Sequence, residues 1–121
     1  VRAARYAGED ATYADNVAKV LRELDRVGAV SSVQRRARFR TVALLHYPDG
    51  RELVAVGAAE GHVAAEPSGA GGFGYDPIFV PDDGEGRSFA AMTPAEKHAV
   101  SHRGRAFRAM AALLGSAAAA E

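Results

Sequence analysis

Phe73, Gly74, Tyr75 and Asp76 sit in a glycine run that opens Gly69-Ala70-Gly71-Gly72, and they are followed by Lys97 and then by Ser101-His102-Arg103-Gly104. Glycines let backbone approach a ligand closely, an aromatic that interrupts them can lie flat on a ring, and a carboxylate with cationic or titratable donors can read that ring's edge. The combination reads as a nucleotide pocket. Convergence of the donors places a condition on the local fold. On one straight helix, at about 100° per residue, His102 lies about 140° and Arg103 about 240° round from Lys97. A break near Ser101 would gather them, with Ser101 capping a new helix and His102 and Arg103 in its first turn at the positive end of the dipole. An unbroken helix whose stripe continues through Val100, Gly104, Phe107 and Leu114 is the alternative that the sequence leaves open.

Other chemistries fit less well. Gly69-x-Gly71-x-x-Gly74 matches the dinucleotide fingerprint in letters, but that motif must open a helix, and here Pro77 leads into an apolar, β-like run. No Gly-Lys-Ser/Thr is present, which excludes a P-loop. His98 and His102 have the spacing of two ligands on one helix face, without the glutamate of a zinc protease motif or a third evident ligand. Asp10, Asp15, Asp82 and Asp83 read as helix-start or turn residues. In Arg35-Arg36-Ala37-Arg38-Phe39-Arg40, strand alternation puts Arg36, Arg38 and Arg40 on a solvated face and the Phe39 ring on the buried one, rather than forming a nucleic-acid footprint. His46 and His62 are expected on solvated strand faces.

The elements that must position the pocket are legible from periodicity. Residues 12 to 27 predict an amphipathic helix with Tyr13, Val17, Val20, Leu21 and Leu24 on one stripe, Thr12 and Asp15 as a capping box, and Gly28 at its end. From Arg36 to Tyr47 the period changes to two, Pro48-Asp49-Gly50 turns the chain, and Glu52 to Ala58 supplies a returning strand. Gly57 and Gly61 predict a bulge or bend before a short strand around His62 to Ala65. A strand bounded by Pro77 and Pro81 follows, then a surface turn at Asp82 to Gly86. Thr93-Pro94-Ala95-Glu96 has the cap, the N1 proline and the N3 glutamate of a helix start. The last helix is expected to bury Phe107, Met110, Ala111 and Leu114. The result is a mixed α/β fold: a sheet with a long β-hairpin and flanking helices, in one domain over residues 1–121.

Composition narrows the function class. With 15 Lys+Arg against 15 Asp+Glu the formal net charge is +0, so no global field draws the chain to nucleic acid or an anionic membrane, and any anion site is local. A cysteine count of 0 removes disulfides and thiolate metal sites and suits a cytoplasmic setting. No apolar leader region is seen, and no run approaches the roughly 20 apolar residues of a membrane span.

Phe73-Gly-Tyr-Asp-Pro-Ile-Phe79, then Glu96-Lys97, then Val100-Ser-His-Arg-Gly104 resembles the C-terminal signature of the inosine/xanthosine triphosphate pyrophosphatases, and Ala4-Arg-Tyr-Ala-Gly-Glu9 is similar to a segment interior to that family. The resemblance implies the C-terminal portion of an enzyme that cleaves non-standard purine nucleoside triphosphates (ITP, dITP, XTP) to the monophosphate and pyrophosphate, with Mg²⁺, as a cytoplasmic homodimer. It implies a substrate-binding set of Phe73, Gly74, Tyr75, Asp76, Lys97, His102 and Arg103, with base stacking on Phe73, an edge read by Asp76, Lys97, His102 and Arg103, and a structural part for Tyr75. The family's Ser/Thr-x-Asn-x-x-Lys segment and the acidic residues that hold Mg²⁺ have no counterpart here. A nucleotide-binding or assembly module without hydrolysis is therefore the competing expectation.

Overall fold

Thr12 starts the first helix because each backbone N–H at the cap finds a side-chain acceptor: Asp15 N–H donates to Thr12 Oγ1 at 3.1 Å and Thr12 N–H to Asp15 Oδ2 at 3.0 Å. The computed structural model describes residues 3–120, so Val1, Arg2 and Glu121 of the sequence reading lie outside the described residues. Helix α1 spans Tyr13–Arg26. It ends as a Schellman turn, with Gly28 N–H on the Asp25 carbonyl (3.1 Å) and Ala29 N–H on that of Leu24 (2.9 Å).

The hairpin follows, β1 at Arg36–His46 and β2 at Glu52–Val63. Their antiparallel register runs unbroken from Arg36↔His62 to His46↔Glu52. Strand β3, Phe79–Pro81, pairs with the end of β2 and completes a three-stranded sheet in the order β1-β2-β3. Alternation holds as expected: Ala37, Phe39, Thr41, Ala43 and Leu45 are half-buried and their neighbours exposed. The inner face packs on a core of Ala59, Phe79, Phe89 and Met92, against which Ala37, Phe39 and Val100 also lie.

Several expectations are corrected, the first in the sheet. Strand β2 does not stop at Ala58, and no bulge interrupts it. Its glycines answer a packing demand instead: a Cβ on Gly57 would stand 2.2 Å from the His102 carbonyl oxygen and 2.3 Å from Ala106 N, and one on Gly61 would stand 2.3 Å from the Val80 carbonyl oxygen. The second concerns the last helix, α3 at His102–Ala120. Of the predicted stripe only Met110 is buried; Phe107 is 52% and Leu114 39% exposed, and Ala111 is exposed. Small residues set the phase: Ala106 lies directly on Gly57 of β2 and Gly104 lies against the His98 carbonyl of the preceding segment, which turns Phe107 outward.

Arg35, read in the sequence as part of a basic run, is instead a buried tie. Its guanidinium donates to the carbonyls of Ala29 (2.8 Å), Val63 (2.9 Å) and Ala64 (2.9 Å), joining the end of α1 to the end of β2. Arg36 and Arg38 face solvent paired with Asp82 and Glu60, while Asp83 pairs with Arg105. His46 is exposed as expected, whereas His62 is half-buried.

Gly57→Ala forces a methyl into backbone and is expected to lower unfolding free energy by about 1–3 kcal/mol, read by urea titration. Gly115→Ala, where an added Cβ meets nothing within 4 Å, is expected to raise it by up to about 1 kcal/mol through helix propensity.

Candidate functional site

Helix α2, Pro94–Val100, begins where the sequence places it. Glu96 N–H donates to Thr93 Oγ1 at 3.1 Å, Thr93 N–H returns to Glu96 Oε1 at 2.9 Å, and Arg87 Nη1 holds Glu96 Oε2 at 2.7 Å. It then breaks. Ser101 is extended (φ −73°, ψ 157°), and its buried Oγ accepts from Gly104 N–H at 3.0 Å, capping α3. Of the two alternatives, the structure takes the break, and His102 and Arg103 occupy the first turn of a new helix.

The glycine loop is fastened from below. Gly71 N–H donates to the Ala90 carbonyl at 2.9 Å, Ala90 N–H to the Asp76 carbonyl at 3.1 Å, and the buried Ser88 hydroxyl to the Ser68 carbonyl at 2.7 Å. Asp76 is 5% exposed, and its Oδ2 accepts from Phe73 N–H at 2.9 Å and Lys97 Nζ at 2.6 Å. Gly72 has φ +70°, and a Cβ there would lie 2.0 Å from that same oxygen, so only glycine permits the turn that carries Phe73. No helix follows the loop: the next regular element is β3, which removes the dinucleotide fingerprint as a reading.

Phe73, Gly74, Tyr75, Asp76, Lys97, His102 and Arg103 all line one cleft of about 500 Å³. The sequence therefore named residues that the fold does bring together. The Phe73 ring is 56% exposed, with Lys97 Nζ 4.6 Å from its centroid, so a ring laid on Phe73 displaces that ammonium or takes the other face. The His102 ring stacks on Phe39, centroids 4.9 Å apart and planes at 25°, and its Nδ1 is buried without a hydrogen-bond partner. Burial first, then the Lys97 charge and that of Arg103, pushes the His102 pKa below its ordinary 6.5, with Asp76 partly opposing. A neutral imidazole with an unspent polar atom is a ready contact for a ligand's edge. Arg103 is exposed on the cleft wall and has no hydrogen bond or ion pair among the described residues. The half-buried Tyr75 donates its hydroxyl to the Ala3 carbonyl, and burial raises its pKa, which fits the structural role read for it.

Four further lining residues, Tyr13, Asn16, Phe39 and Phe107, were not assigned from sequence. Asn16, 3% exposed, accepts from Ala7 N–H at 2.9 Å and donates to the Ala4 carbonyl at 3.0 Å, holding the segment that forms one wall. A polar residue beside the apolar stripe of α1 was the available signal. Phe39 was legible as a buried ring, but its stack on His102 is a tertiary contact that periodicity does not report.

Among the described residues no three His, Asp, Glu or Cys side chains converge to hold a metal ion. His98 and His102 both line the cleft without a third ligand, and the Asp76 carboxylate is engaged by Lys97. The residues present do not fit a metal centre.

A family model described as the Ham1 family matches residues 1–113. The dITP/XTP pyrophosphatase of Mycolicibacterium paratuberculosis is 47% identical over 108 residues, covering 89% of this chain and 51% of the relative. That of Escherichia coli (strain K12) is 46% identical over 111 residues, covering 89% and 54% respectively. Among solved structures, a HAM1 protein from Coxiella burnetii superposes with a TM-score of 0.82 at 38% identity, over 95% of this chain and 57% of that one. A nucleoside-triphosphatase / dITP/XTP pyrophosphatase from Mycobacterium abscessus gives a TM-score of 0.71 at 45% identity, over 93% and 55%. The chain spans about half the length of the curated relatives it matches.

The lowered His102 pKa fixes the sign of a pH effect. The folded state disfavours the imidazolium, so its stability is full above the unfolded value of 6.5 and falls as pH drops below that value toward the folded pKa. Thermal unfolding at pH 7.5 and 5.5 is expected to show a lower Tm at 5.5, and His102→Asn is expected to narrow the gap.

Proposed function

The chain belongs to the Ham1 family, and on that premise we propose that it is the base-reading part of a pyrophosphatase that hydrolyses non-standard purine nucleoside triphosphates, ITP, dITP and XTP, to the monophosphate and pyrophosphate. The observation that carries the reading is the meeting of all seven sequence-named residues in one cleft. The purine stacks on Phe73, and Lys97, His102 and Arg103 present donors to the 6-oxo group these bases share. Adenine carries an amine at that position, which would face donors and leave buried groups unpaired, and that mismatch is the source of selectivity. Asp76 accepts from Lys97 and so aims its ammonium.

Mg²⁺ dependence is proposed for the whole enzyme, with ligands outside these 121 residues. A second reading, a binding module without hydrolysis of its own, is favoured by the same lack of a converging ligand set among the described residues. The proposal includes a homodimer, supported by the outer face of the hairpin. There Val42, Leu44, Val54 and Val56 are exposed, and they pair across the strands as Val42↔Val56 and Leu44↔Val54. It also places the enzyme in the cytoplasm, with nucleic acid outside its partners, since the arginines Arg36 and Arg38 are already paired with acids. Among the described residues no helix is long and apolar enough to cross a membrane.

Phosphate release coupled to inorganic pyrophosphatase tests the activity on inosine, xanthosine and adenosine triphosphates. Turnover of the first two is expected from the full-length protein and little from the 121-residue chain; robust turnover by the chain alone would contradict the division of labour. In the full-length protein Arg103→Ala is expected to lower kcat/KM for inosine more than for adenosine triphosphate. An equal loss on both would make Arg103 a scaffold or phosphate contact. Sedimentation at high concentration is expected to give a dimer that Leu44→Glu dissociates, and a strictly monomeric protein would remove the dimer from the proposal.

A further inference from the structure

Tyr13 opens α1 with a ring that the core does not use: it is 59% exposed, close to the 56% of Phe73. The two rings lie 6.5 Å apart, centroid to centroid, with planes at 47°, and both line the cleft that holds Asp76, Lys97 and His102. Large rings left exposed beside one another gain most of their burial only when a further flat apolar surface covers both.

The two rings form a loose, tilted pair rather than a close-packed one. A planar ring held on two sides needs two carbon contacts of about 3.5 Å each, and so about 7 Å in all. The rings are 6.5 Å apart at their centroids and tilted by 47°, so a base enters between them only as the exposed Tyr13 side chain rotates away from Phe73. The backbone under Tyr13 is already fixed. The Thr12–Asp15 capping box holds it at the helix start, and Asn16, one turn on, ties α1 to Ala4 and Ala7. Phe73 is held as firmly, through its N–H on Asp76. With both backbones fixed, only the Tyr13 side chain has to reorient, which keeps the ordering cost of binding a planar ligand small.

We infer that Tyr13 and Phe73 form a two-sided aromatic clamp on the purine, with Tyr13 supplying the second stacking face. The inference rests on the proposed reading of the cleft as a purine site. It also separates affinity from selectivity. A ring face does not distinguish a 6-oxo group from an amine, so Tyr13 strengthens binding of every purine alike, and the preference among them stays with the donors of Lys97, His102 and Arg103.

Equilibrium binding of inosine and adenosine triphosphates, without divalent metal, to the full-length protein and to its Tyr13→Ala, Tyr13→Leu, Tyr13→Phe and Phe73→Ala variants tests this. Tyr13→Ala and Tyr13→Leu are expected to weaken both nucleotides by the same factor, at least about fivefold for a lost stacking face, with an unchanged unfolding midpoint. Tyr13→Phe is expected to bind like the parent. Full affinity in Tyr13→Ala beside a loss in Phe73→Ala would overturn the clamp and leave the purine reading standing. A loss in Tyr13→Phe equal to that in Tyr13→Ala would make the hydroxyl the contact and also overturn it. Undiminished binding in both Tyr13→Ala and Phe73→Ala would overturn the purine reading itself.

Discussion

Asp76 is the point on which the cleft is hung. One oxygen, Oδ2, holds the Phe73 amide and the Lys97 ammonium, and it occupies the space that a side chain at position 72 would need. The glycine loop, the aromatic it carries and the first cation of α2 are thereby placed relative to one another by a single buried carboxylate. Removing either member of such a buried pair leaves a charge uncompensated, at a cost of about 3–5 kcal/mol. The arrangement also sets a tension. Lys97 spends its charge on Asp76 and on the Phe73 ring, so under the proposed function a base would compete for the same ammonium and the same ring.

From that point the positioning runs back into the core. Phe79 meets Phe89 at 5.1 Å and Phe39 at 4.7 Å, and Phe39 in turn carries the His102 ring at 4.9 Å. The site histidine is thus the outermost ring of a stack rooted in the sheet. Gly57 lets β2 touch the first turn of α3, and Ser101 separates α3 from α2 so that this turn points into the cleft. The break at Ser101 does what the helical geometry required: without it Lys97 and Arg103 would face different sides of one rod.

Much of this was legible in the sequence, and the failures have physical causes. Thr12, Thr93 and Ser101 act through hydrogen bonds to neighbouring backbone, which are local and therefore readable. The hairpin register follows from period-two alternation around Pro48-Asp49-Gly50 in the same way. Gly57 and Gly61 were misread as bulges because a glycine that admits a neighbouring element is indistinguishable in sequence from one that bends its own strand. Phe107 was misread as core because the phase of α3 is set by Ala106 against Gly57 of β2, a contact remote in sequence. Arg35 looked like its basic neighbours, yet it is the one whose guanidinium finds three buried carbonyls. Phe73, Asp76, Lys97, His102 and Arg103 were found as a set because their complementary chemistry stands in the order and spacing of the family signature they resemble, even though nothing local brings them together.

The proposed function separates recognition of the base, assigned to the cleft of this chain, from a metal-assisted cleavage whose ligands do not converge among the described residues. That separation is most directly tested by metal-free equilibrium binding of inosine and adenosine monophosphates to the 121-residue protein. Saturable binding with a clear preference for inosine is expected. Equal affinity for the two, or no binding of either, would contradict the proposed function.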